Sequence, residues 1–133
     1  MSDNKPRISF EYFPPKTDAG RERLLTETTT ALNAINPAFF SVTYGAGGST
    51  RDSTQGLVTA IQAAGIEVAP HLSFGGDSEA TIEQLLMFYQ EKGISRLVAL
   101  RGDVPSGMGG FGQMAHANEL VKFVRTKTGD HFY

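Results

Sequence analysis

The feature that most constrains this chain is a strict alternation of two hydrophobic periods. Four short runs, ISFEYF (8 to 13), AFFSVTY (38 to 44), EVAPHLSF (67 to 74) and RLVALR (96 to 101), are apolar and rich in aromatic or β-branched residues, the pattern of strands. Each is followed by a segment with helical spacing. The first, from about Thr17 to Asn33, sets Leu24, Leu25, Thr28, Leu32 and Ile35 on one stripe; the second uses Leu57, Val58, Ile61 and Ala64. The third uses Ile82, Leu85, Leu86 and Tyr89, and the fourth Ala117, Leu120, Val121 and Val124. Thr17, Ser49 and Ser78 stand where a side-chain oxygen can accept from first-turn N–H groups, and Gly65, Gly93 and Gly129 where a left-handed residue can stop a helix. AAGIEVAPHL (63 to 72) and EKGISRLVAL (91 to 100) align at a period of about 28 residues, one strand–helix unit.

Strictly alternating units dictate parallel strands joined by right-handed crossovers. The expected class is therefore α/β, organised as (βα)4. Four units close nothing alone, because a (β/α)8 TIM barrel takes about 250 residues and eight strands. Two architectures meet this count: half of such a barrel, or a small open doubly wound sheet. No linker or composition break divides the chain. Residues 1–133 are accordingly expected to form a single N-terminal half of a TIM-barrel domain, truncated before a fifth strand that should follow TGDHFY.

Charge and composition remove several classes of function. Twelve Lys and Arg against 14 Asp and Glu give a net charge of −2 without a basic block, so the electrostatic footprint of a nucleic-acid binder is missing. The absence of cysteine excludes disulfides and thiolate metal sites, and His71, His116 and His131 lack metal-ligand spacing, so no metal is expected. MSDNKPR leads into a strand instead of a signal-peptide apolar region, and no apolar run is long enough to span a bilayer. A cytoplasmic protein with no membrane or nucleic-acid partner is the expectation.

In a parallel α/β fold the ligand site lies at the carboxyl ends of the strands. Those ends carry Glu11 in SFEYFPPK, Thr43 and Tyr44 in SVTYGAGGSTRD, His71 in APHLSF, and Arg101 with Asp103 in RGD. Each has a structural reading: a carboxylate in an apolar strand needs a partner, for which Arg101 is available, and a lone histidine is commonly a hydrogen-bonded structural one. The loop GAGGST (45 to 50) is either a simple connection or a turn of N–H groups toward an anion, and it matches neither the dinucleotide nor the P-loop pattern. The five glycines of residues 102 to 112 suit a linker or a mobile cover. Four strands delivering polar groups to one rim favour an active site over four independent structural roles.

The segments SFEYFPPKT, FFSVTYGAGGSTRD, APHLS, VALRGD and HANELVKFVR, in this order and spacing, resemble the N-terminal half of the methylenetetrahydrofolate reductase family, from Ile8 to Tyr133. The resemblance implies a (β/α)8 barrel with FAD at the C-terminal strand ends, NADH or NADPH as hydride donor, a folate substrate and a homo-oligomer. By motif position, Glu11 corresponds to the catalytic acid. Thr43, Tyr44, Ala46, His71, Arg101, Gly102, Asp103 and Ala117 correspond to cofactor contacts, and Asp103 also faces the folate. His116 stands where many members carry tyrosine, and Ser73-Phe74 replaces a common Thr-Cys. A non-catalytic half-barrel, acting as a binding or assembly module, is the alternative.

Overall fold

A computed structural model of the chain describes residues 5–44, 51–73, 78–101 and 117–133. Its elements are β1 (Ser9–Tyr12), α1 (Asp18–Arg23), a π-helical turn (Leu24–Thr28), α2 (Thr29–Asn33), β2 (Phe39–Val42), α3 (Arg51–Ala63), β3 (Val68–Leu72), α4 (Glu79–Glu91), β4 (Val98–Ala99) and α5 (Ala117–Thr128). The four strands form one sheet in the order β1-β2-β3-β4, all neighbours parallel. Strand order follows chain order without the reversal on which a doubly wound sheet depends.

Register sorts the strand residues into two faces. Phe10, Phe40 and Val68 are paired across β1, β2 and β3, and Tyr12, Val42 and Pro70 form the next row but one on the same face. Phe40 stacks obliquely on Phe10 and Tyr12, with ring centroids 5.7 and 5.3 Å apart. This face supplies every strand residue of the hydrophobic core. There it meets Leu57, Val58 and Ile61 of α3, Ile82, Leu85, Leu86 and Tyr89 of α4, and Leu120, Phe123 and Val124 of α5. The other face carries Glu11, Ser41 and Ala69 in one row, with His71 two residues further along β3.

The helix ends follow local chemistry. Thr17 accepts from the Gly20 N–H at 3.0 Å and Ser78 from the Thr81 N–H at 3.2 Å, and Gly65, Gly93 and Gly129 all have positive φ. Asn36 also adopts a left-handed conformation, at φ 61°. Ser49 lies outside the described residues.

Three expected stripes are corrected, the smallest change being Ala64, which lies one residue past α3 and is exposed. The first helix is not uniform: the Thr29 N–H and Oγ1 both donate to the Leu24 carbonyl, five residues back, and this π turn advances the buried face by one residue. Thr29 is therefore buried in place of Thr28, and Ile35, expected on the stripe, is 57% exposed. The cause lies in β1, where the buried Tyr12 hydroxyl sits 3.0 Å from Thr29 Oγ1. In α5, Phe123 takes the core position expected of Val121, which is 45% exposed.

Beyond α5 the chain returns to the sheet. The Tyr133 N–H donates to the Ser95 carbonyl at 2.8 Å, and the Leu97 N–H donates to the Tyr133 carbonyl at 2.9 Å. This is the bonding of a parallel bridge opposite Arg96, on the edge of β4 away from β3. The Arg96 guanidinium lies over the rings of Phe39 (5.1 Å) and Tyr133 (4.7 Å), and its Nε is 2.8 Å from Glu67 Oε2. One side chain thus ties the entry ends of β2, β3 and β4 to Tyr133.

Candidate functional site at the strand ends

The residues that can do chemistry gather where the strands end. Glu11 is carried by β1 and His71 by β3, two strands that are not neighbours, because β2 lies between them. Their side chains nevertheless meet, with His71 Nε2 3.2 Å from Glu11 Oε1. The contact runs diagonally across β2, from the row of Glu11, Ser41 and Ala69 to the next row on the same face, and the groups beside Glu11 in its own row are small. A large residue at position 41 would stand in the path.

The two partners differ sharply in environment. The His71 side chain is 7% exposed and that of Glu11 52%. Burial pushes the His71 imidazole below its ordinary value of 6.5, and the neighbouring Glu11 carboxylate opposes this only in part, so the ring is neutral at neutral pH. Ser41 and Ser73, both uncharged, are buried near this end of the sheet as well. The Glu11–Arg101 pair expected as the structural reading is replaced by Glu11–His71. Arg101 lies exposed just beyond β4, and among the described residues no ion pair involves it.

The end of β2 is held from both sides. The Thr43 N–H donates to the Tyr12 carbonyl at 2.9 Å, and the fully buried Thr54 of α3 donates its hydroxyl to the Thr43 carbonyl at 2.8 Å. Thr54 was not a sequence candidate; its one signal is a polar residue standing three before Leu57 on an apolar stripe. Tyr44 packs against the helical core and lies near Tyr89, whose phenol is pushed up chiefly by burial and further by Tyr44. Ala117 is the first residue of α5, half-buried at the same end of the fold. Glu119, in the first turn, has a buried Oε2 with no hydrogen-bond partner among the described residues. Ala46, Gly102 and Asp103 lie outside the described residues.

Among the described residues no group of three His, Asp or Glu is placed to hold a metal ion, and no helix is long and apolar enough to cross a membrane. The arrangement offers a half-exposed carboxyl backed by a buried neutral imidazole, with the backbone of β2 pinned beside it. That is a device for holding or moving one proton at a defined place.

Comparison with known proteins places these features in a family. The model of the methylenetetrahydrofolate reductase family matches residues 1–133. The chain is 38% identical over 135 residues to methylenetetrahydrofolate reductase (NADH) 1 of Zea mays, covering 98% of this chain and 23% of the relative. It is 39% identical to the 5,10-methylenetetrahydrofolate reductases of Pectobacterium carotovorum, over 124 residues, and of Escherichia coli, over 119. These cover 92% and 89% of this chain and 40% and 39% of those relatives. The chain therefore spans well under half the length of the curated relatives it matches.

Proposed function

Since the chain belongs to the methylenetetrahydrofolate reductase family, we propose that its strand-end rim is part of a flavin site at which 5,10-methylenetetrahydrofolate is reduced, with Glu11 as the acid. The observation that carries this reading is the convergence of Glu11 and His71 from non-adjacent strands onto the sheet face that the helical core leaves aside. The domain in this reading is the N-terminal half of a (β/α)8 barrel. Support comes from the unreversed strand order and from Tyr133, whose backbone already bonds to β4 as a fifth parallel strand would.

The donor set fits FAD. The wall offers small uncharged polar groups beside a neutral imidazole, which suits an uncharged ring system. The orphaned Glu119 oxygen is an acceptor that calls for a hydroxyl donor, of which the ribityl and ribose chains have several. Thr43, Tyr44, Ala46, His71, Arg101, Gly102, Asp103 and Ala117 would hold the cofactor, and Asp103 would face the folate as well. The chemistry that FAD supplies when bound is hydride transfer from NADH or NADPH to the folate, giving 5-methyltetrahydrofolate.

The chain's own part is proton transfer and positioning. As the C–N bond of the five-membered ring breaks, the leaving ring nitrogen takes a proton from the Glu11 carboxyl. The methylene carbon is left as an iminium able to accept hydride, and Glu11 is left as a carboxylate. Thr54 and Tyr12, through the Thr43 carbonyl and N–H, hold the β2 end beside this reaction. The test is a titration of FAD into the purified chain, followed by flavin absorbance and by bleaching with NADH or NADPH. A bound-flavin spectrum that bleaches supports the reading; a spectrum that stays that of free flavin favours the half-barrel binding module.

A further inference from the structure

Glu11 cannot fix its own position. It sits at the last turn of an outer strand with half of its side chain in solvent, and its long side chain has several rotamers open to it. His71 is the opposite kind of residue, buried near the end of β3, an inner strand with β2 on one side and β4 on the other. Contact between them spans β2, at roughly twice the 4.8 Å strand spacing. It runs diagonally, from the row of Glu11 and Ser41 to the next row on the same face, where His71 lies.

We propose that His71 is the positioning residue for Glu11: from 3.2 Å away across β2 it presents Nε2–H to Oε1, which fixes the carboxyl and leaves Oε2 as the oxygen that meets the substrate. This rests on Glu11 being the acid. The other groups on this face that approach from the flanking elements are Ser41 and Thr43 of β2, which are uncharged, and Val98 and Leu100 of β4, which are apolar. Arg101 follows them, exposed, beyond the strand end. Glu11 Oε1 is the acceptor 3.2 Å from His71 Nε2, and a ring proton on that nitrogen is what would turn this contact into a hydrogen bond. A general acid held within a fraction of an ångström of its target is worth far more than the same group free to swing.

The first test needs no cofactor. Long-range proton–nitrogen NMR of the flavin-free chain at pH 7.5 should show the His71 ring neutral and protonated on Nε2, and Glu11→Ala should mix the two tautomers. A ring protonated on Nδ1, or a tautomer indifferent to Glu11→Ala, overturns the proposal. The second test uses flavin-loaded protein, with rates expressed per bound flavin. His71→Leu should slow the folate step by about ten- to a hundredfold, the cost of misplacing a reacting group. His71→Gln, which keeps a donor at a similar reach, should recover most of that loss. Equal losses in the two variants, or none in either while Glu11→Gln is impaired, would overturn the positioning role. Full activity in Glu11→Gln would overturn instead the reading of Glu11 as the acid. Should His71→Leu fail to fold, His71→Gln and the NMR tautomer decide.

Discussion

At the scale of single residues, His71 makes the stability of this protein depend on pH in a direction that can be stated. Its imidazole is pushed below the ordinary 6.5, mainly by burial, so the unfolded chain binds a proton at higher pH than the folded one does. The stabilisation from keeping the ring neutral is complete above 6.5 and is lost as pH falls toward the lower folded value. Urea midpoints should therefore drop between pH 7.5 and 5, and His71→Gln should show a shallower drop. An equal drop in both proteins would mean that other groups carry the effect. Glu11 and His71 were both visible in the sequence as polar residues ending apolar strands, but their contact was not. Sequence reasoning offered Arg101 as the structural partner of Glu11, beside the reading of Glu11 as a site acid. Which groups meet is decided instead by strand register and by the small residues at positions 41 and 69.

At the scale of elements, the first helix shows a strand reshaping a helix. Thr29 Oγ1 donates to the Leu24 carbonyl, so toward Tyr12 it can only accept, and the buried phenol donates to it. Tyr12→Phe removes one donor and leaves the Leu24 bond intact, at a cost of about 1 kcal/mol. Thr29→Val strands the buried phenol, while the Leu24 carbonyl keeps the Thr29 N–H, and should cost more, about 1–3 kcal/mol. Combined, the two changes should cost less than their sum, because they break one network. Urea unfolding of the three variants measures this, and strict additivity would show that the tyrosine and the π turn are independent. The helical stripe of α4, that of α3 apart from Ala64, the caps at Thr17 and Ser78 and the glycine stops were legible because each depends on nearby residues alone. The π turn was not, since its cause is a hydroxyl 17 residues away. The exchange of Val121 for Phe123 had a similar origin: α5 packs against both α4 and β4, which rotates its buried face.

At the scale of the whole molecule, the α/β class and the four parallel strands were legible from alternating periods, while the sequential strand order, which separates a half-barrel from a doubly wound sheet, came from the structure. What closes the sheet was not legible, since no short-range pattern records how many units a barrel will take. Among the described residues the outer edge of β1 has no partner strand, and Ile8 and Phe13, flanking it, are exposed. Such an edge pairs with other chains. Sedimentation should therefore show association that grows with concentration and weakens in Ile8→Lys, and a monomer at every concentration would count against it. The central claim is that one rim serves both halves of a reductase reaction while Glu11 serves only one. Anaerobic stopped-flow on flavin-loaded wild type and Glu11→Gln tests it directly, by following flavin bleaching with NADH or NADPH and recolouring with 5,10-methylenetetrahydrofolate. The account predicts bleaching rates within about tenfold of each other and recolouring slower by about 10²–10⁴-fold in the variant, the range of a lost general acid. Equal losses in the two steps, or a loss in bleaching alone, would contradict it.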